Sequence, residues 1–481
     1  MVKGLTALRA VVVTAVAAGL VYGSNQVDVT ADWSRSGDRA AARASTAAMN
    51  TTLVCPGPDR PGAPGQDQSP QQVAVSSGVA PTAWIGGSGA GSLQFTRLPA
   101  DGSGAPQERT SSAENERTDL SGAAALRLTG AGSLARGVAA LQYAVDDEPT
   151  VAGLVMNACS APTKDAWLPI GGNQAGRLGR VVLTNPTQTP VTVDVAVVGH
   201  AGEVADKGAN GVVVPPGDRV VVGVGDFDGS LADAMVHVTS RGGSVGVTGF
   251  DVWMTGETPS GAAASAPAQA GTDLILPAFQ VTTGTPRVRV AVPGGEAATV
   301  RVRLVDADGL VVADEVQDVP AGATGSVALQ GAPAGWYALR VTSEQPVAAA
   351  AMTSAVATGR SDISWSTSAD GTEGVVGTPL PMLPAGVRST ISLYSPDKPA
   401  TVELVTTGDG GRTQQVQVEA DRETRLEVTG RTGVWVRVRS GSVHAALASS
   451  GRDSAGPLLE VAALEPVVVK SDLRESTAEL D

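Results

Sequence analysis

Arg180 to Val204, RVVLTNPTQTPVTVDVAVVGHAGEV, reads as a strand, a proline turn and a second strand. Valine recurs at a period near two, and Asn185, Pro186 and Pro190 supply the turn chemistry between the runs. Similar beats return near Arg287 and near Arg388, roughly a hundred residues apart each time, which is the signature of a repeated structural unit.

Working outward from that hairpin, the clearest unit runs from Trp167 to about Met254 through GRVVLTNP, PVTVDVAVVG, GVVVPPG, RVVVGV, AMVHVTS and SVGVTGFDVWM. Each piece is short, valine-rich and bounded by Gly, Pro, Asn or Asp, the density expected of a two-sheet antiparallel sandwich. Apolar spacing of three and four, which a helix needs, is absent after residue 50. The expected architecture is therefore all-β: tandem immunoglobulin-like or fibronectin-like β-sandwich domains behind an N-terminal hydrophobic helix. A β-propeller is the rival arrangement, since two blades would fill one period.

The later copies begin at Ile275 and Pro379, and the closing strands place Ser240, Ser343 and Ser440 alike. A first, divergent copy precedes them, in which Trp84-Ile85-Gly86-Gly87 echoes the lead at Trp167 and a polar insertion, 101–119, reads as a loop. The resulting division is a signal peptide or signal-anchor helix over 1–23, a juxtamembrane stalk over 24–50 and a divergent β domain over 51–163. Sandwiches follow over 164–258, 272–363 and 378–466, with linkers at 259–271 and 364–377 and a polar tail over 467–481.

Composition narrows the function. Hydrophobic residues make up 42% of the 481, so the chain can build several cores. Net charge is −14, a surface that repels phosphate backbones and excludes nucleic acid as a partner. Lys3 and Arg9 precede an apolar run from Ala10 to Tyr22, the pattern of an export signal. Cleavage near Val29-Thr30-Ala31 and retention as an anchor both fit, and the membrane is met through this segment only. Two cysteines, Cys55 and Cys159, bracket the first copy, and an even count in an exported chain suggests a disulfide.

Candidate chemistry is sparse. Asp226 and Asp228, and again Asp306 and Asp308, stand two apart before a glycine, a spacing that can serve calcium or simply an Asp–Gly hairpin turn. Ser454, in RDSAGP, has the surroundings of a protease nucleophile but no evident histidine base. Trp84, Trp167 and Trp365 lie in the leads between units; exposed, they would stack on sugars, and buried, they would pack neighbouring domains together. Trp336 and Trp435 have the spacing of core residues. No pattern calls for a cofactor.

The N-terminal hydrophobic segment, LVCPGP at 53–58 and the beat VVLTNPTQTPVTVDVAVVG…VVVPPGDRVVV over 181–222 together resemble an actinobacterial family of secreted or membrane-anchored proteins of unknown function. The resemblance covers most of residues 50–460. It implies a cell-envelope context, because genes of that family often lie near a family 2 glycosyltransferase, and it carries over no catalytic residue. The expectation is a non-catalytic, extracytoplasmic envelope protein whose partner is an envelope protein or a glycan. Scaffolding of envelope polysaccharide assembly is the first expectation, a glycan-binding surface module the alternative, and an envelope hydrolase the third.

Overall fold

Alternation in the sequence becomes alternation in burial. Strand Val191–Gly199 turns Val191, Val193, Val195 and Val197 into a core, while Thr192, Asp194 and Ala196 sit on the other face. The computed structural model describes residues 46–47, 50–59, 72–86, 90–99, 107–110, 115–148, 151–204, 209–224, 231 and 233–471. The expected hydrophobic helix over 1–23 and the stalk lie outside the described residues, apart from Thr46, Ala47 and Asn50. Among the described residues no helix is long and apolar enough to cross a membrane. Residues 47–469 form one compact body, and its described residues are all-β apart from short helical turns at Thr82–Ile85 and Ser133–Ala135.

That body contains the same two-sheet module four times. With the strand positions of each module counted in chain order, one sheet runs first–sixth–third–fourth and the other fifth–second–seventh–eighth. In the first module these sheets are Asn50–Cys55, Ala125–Gly132, Gly91–Leu98, Gln107–Arg109 and Glu116–Ser121, Gln72–Val79, Val138–Glu148, Val151–Ala158. The second runs from Asp165–Pro169 to Thr258–Ser265, with an extra strand, Val212–Val214, beside its third. The fourth runs from Val375–Pro379 to Pro457–Leu464. In the third module the 21-residue strand Gly335–Ala355 passes from one sheet into the other and fills both the sixth and seventh positions. The repeat read from the sequence is thus a repeat of topology. Its strand order differs from the ABED and CFG grouping of an immunoglobulin sandwich, because the first strand pairs with the sixth and the second with the seventh.

Three boundary expectations need correction. The stretch 259–271 holds most of strand Thr258–Ser265, the eighth of the second module. The stretch 364–377 holds the end of Asp362–Thr367 and the start of Val375–Pro379. The insertion 101–119 supplies Gln107–Arg109 and part of Glu116–Ser121. Alanine, glycine and serine in the first two stretches look like linker composition. Here the small side chains let strands approach one another closely.

The four eighth strands, Val151–Ala158, Thr258–Ser265, Asp362–Thr367 and Pro457–Leu464, pack first on second, second on third, third on fourth and fourth on first. The modules therefore close into a ring, and the expected tandem row is not what forms. Each junction is apolar: Val151 and Val155 meet Phe250 and Val252, Trp167 and Met235 meet Ala348 and Trp365, Ala278 meets Ala446 and Val461, and Leu154 meets Val387 and Leu458. Burial on this scale, at about 25 cal/mol per Å² of apolar surface, makes separation of the modules unfavourable.

Candidate functional site

Where the eighth strands begin, one carboxylate joins all four modules. Asp362 Oδ2 accepts from the backbone N–H of Leu154 at 3.0 Å and of Leu459 at 2.8 Å. Its Oδ1 accepts from Ile363 at 3.0 Å and Ala262 at 3.4 Å. The backbone closes in tightly enough that a Cβ on Gly153 would lie 2.3 Å from Asp362 Oδ1, and one on Gly261 2.4 Å from Ile363 N. Both glycines hold positive φ, +152° and +127°, so side-chain freedom and space fail together. Glu460 accepts from Ser364 Oγ at 2.7 Å and from the amides of Ala264 and Val461, both at 3.1 Å. Burial pushes both carboxyls up; the amides around Asp362 oppose it, and the Asp362 charge adds to it at Glu460. Both side chains are fully buried.

Where the same strands end, the chain opens a cavity. After its eighth strand each module hydrogen-bonds back to its own first strand: Ser160 with Val54, Ala268 with Trp167, Ala369 with Ile275, and Val467 with Val375. These returning segments, with Thr51, Leu53 and Val138, line a cavity of about 200 Å³. Cys159 forms part of the wall and is bonded to Cys55, with 4.6 Å between Cα atoms, so the disulfide ties the entry of the first module to the rim. Ser160, Thr163, Gln269 and Ser368 contribute polar groups, and Pro267, Pro466 and Val468 contribute apolar wall. Asp370 and Glu465 bring carboxylates, and among the described residues no Lys, Arg or His lines the cavity. Neither carboxylate has a hydrogen bond or ion pair among the described residues. Burial, and then the charge of Asp370, push the Glu465 carboxyl up to about 7.

The tryptophans have other work. Trp167 and Trp365 are each only 2% exposed, which removes both as glycan platforms. Trp167 stacks on His237 with ring centroids 4.3 Å apart, and His237 Nε2 lies 2.8 Å from Asp165 Oδ2. Trp365 donates its indole N–H to Asp251 at 3.0 Å, and Asp251 is also paired with Arg177 at 3.0 Å. Burial of the modules against one another, the packing alternative of the sequence reading, is what fixes these rings. Trp84 is half-buried against the first module's core, with the Arg437 guanidinium 6.0 Å from its ring centre. Trp435 is buried where the first and fourth modules meet, and Trp336 is half-buried under Arg425.

Of the remaining candidates, Asp306 with Asp308 and Ser454 resolve as turns. Asp306 Oδ1 accepts from the amides of Asp308 at 2.9 Å and Leu310 at 2.8 Å, the hydrogen bonding of an Asp–Gly hairpin turn. Among the described residues no group of three or more His, Cys, Asp or Glu could hold a metal. Asp226 and Asp228 lie outside the described residues. Ser454 is exposed in a turn capped by Asp453, which accepts from Ala455, Gly456 and Arg360. Sequence reasoning missed Asp362, Glu460, Asp370 and Glu465. A lone acid within an apolar run, as in Leu458-Leu459-Glu460-Val461-Ala462, was the available signal.

Comparison with known proteins gives one assignment. No curated protein matches the sequence. A solved structure titled "Structure of infectious bursal disease virus Gt strain" is 10% identical over 81% of this chain and 83% of that one, with a TM-score of 0.11, a likeness that carries no argument. The family model described as "Family of unknown function (DUF5719)" matches residues 115–429, from the fifth strand of the first module to the turn after the fifth strand of the fourth. The chain belongs to this family of unknown function.

Proposed function

We propose that the protein is a non-catalytic, extracytoplasmic scaffold of the cell envelope, carried by its N-terminal segment, whose ring of four β-sandwich modules presents a rigid surface and an axial cavity to an envelope partner. The observation that carries this reading is closure: four modules meet on one axis through apolar junctions and one shared carboxylate, which suits a platform of fixed geometry. The bridged cysteines suit an oxidising compartment. The envelope-polysaccharide context rests on the family resemblance. Crosslinking in intact cells, followed by purification and mass spectrometry, tests the proposal. Reproducible recovery of a membrane glycosyltransferase or another envelope protein supports it, whereas recovery of the protein alone or with polysaccharide only refutes it.

A further inference from the structure

We infer that the axial cavity is a binding site for a primary ammonium group carried on an alkyl stem, the chemistry of a lysine side chain or an alkylamine. The inference deepens the scaffold reading, on which it rests, by naming what the cavity would hold. An ammonium offers three donors and no acceptor. The cavity offers two carboxylates, from Asp370 and Glu465, that have no cation among the described residues, and acceptor oxygens from Ser160 and Ser368. An alkyl stem needs apolar wall, which Leu53 and Pro466 help to provide. A calcium ion would need six to eight oxygen ligands, and no acidic cluster of that kind is present among the described residues. The lining holds no aromatic ring on which a sugar would stack. All four modules contribute, so the site exists only in the closed ring.

The site is pH-dependent with a definite sign. Asp370 is the titratable group facing Glu465 from the surrounding segments; His444 stands behind it, its Nδ1 against the Ala369 carbonyl, and burial pulls its pKa down. As pH falls through about 7, Glu465 takes a proton and its attraction for a cation is lost.

Calorimetric titration of the full chain with Nα-acetyl-lysine amide, Nα-acetyl-norleucine amide and pentylamine tests the inference. The lysine probe is expected to bind at pH 8 and at least tenfold more weakly at pH 5.5, with the norleucine probe at least tenfold weaker than lysine at pH 8. Pentylamine bound as well as the lysine probe identifies free alkylamines as ligands, and weaker pentylamine binding identifies a polypeptide side chain. Glu465→Gln, checked for an unchanged melting temperature, should weaken the lysine probe tenfold at pH 8 and abolish the pH dependence; if that variant fails to fold, the exposed Asp370→Asn should weaken binding several-fold. No binding of either amine, equal binding of norleucine, or unaltered binding by the folded variants overturns the inference. Such a failure leaves partner recovery by crosslinking untouched, so the two readings fail separately.

Discussion

Removing the Asp362 carboxylate should cost more than an ordinary buried polar substitution. Its two oxygens accept four amides, one from each module: Leu154, Ala262, Ile363 and Leu459. In Asp362→Ala those donors are stranded away from water, each at about 1–3 kcal/mol, so the loss should reach about 4–12 kcal/mol. That is comparable with the entire stability of many domains, about 5–15 kcal/mol. Asp362→Asn keeps one oxygen. Turned towards Leu154 and Leu459, that oxygen preserves the better pair and strands Ala262 and Ile363, for a loss of about 2–6 kcal/mol. Urea unfolding followed by near-ultraviolet circular dichroism gives the magnitudes. Hydrogen exchange gives the distribution: in Asp362→Ala, peptides holding Leu154, Ala262 and Leu459, up to 208 residues away in sequence, should lose protection together. A loss below about 1 kcal/mol in Asp362→Ala, or deprotection confined to the third module, would refute the reasoning.

Three further outcomes follow from the same geometry. Gly261→Ala brings a Cβ within 2.4 Å of Ile363 N at a φ of +127°, and it should destabilise by about 2–5 kcal/mol in thermal melts; Gly294→Ala, with space around it, should be near neutral. Replacing Cys55 and Cys159 by serine opens a loop of 104 residues and should cost about 4–5 kcal/mol in urea titrations. Burial raises the Glu423 carboxyl to about 7, above its unfolded value, so the folded state binds the extra proton; its contribution is complete below about 4.5 and is lost as pH rises through 7. The urea midpoint should therefore fall between pH 5 and pH 8, and Glu423→Gln should shrink that fall by about 3 kcal/mol.

Where neighbouring residues decide a feature, the sequence showed it. Valine alternation over Val191–Gly199 and proline turns at Pro186 and Pro190 locate strands because burial of one face demands that period. Cys55 and Cys159 were legible as a pair because few partners were available. Ring closure was not legible, since it rests on contacts such as Leu154 with Asp362 that no local pattern encodes. The eighth strand of the second module, Thr258–Ser265, was hidden because GAAAS has low strand propensity and is chosen for its size. Trp167 and Trp365 marked the module junctions correctly as a place, but only the structure shows that the rings are buried there. Asp370 and Glu465 were invisible as a pair because they sit in the segments that follow the eighth strands of two different modules.

Small-angle X-ray scattering of a chain spanning residues 47–469 tests the closed ring most directly. Four modules gathered on one axis should give a radius of gyration of about 22–24 Å, the value for a single compact body of that length. A row of four modules would exceed about 35 Å, and that result would contradict the closure on which the cavity and the shared carboxylate depend.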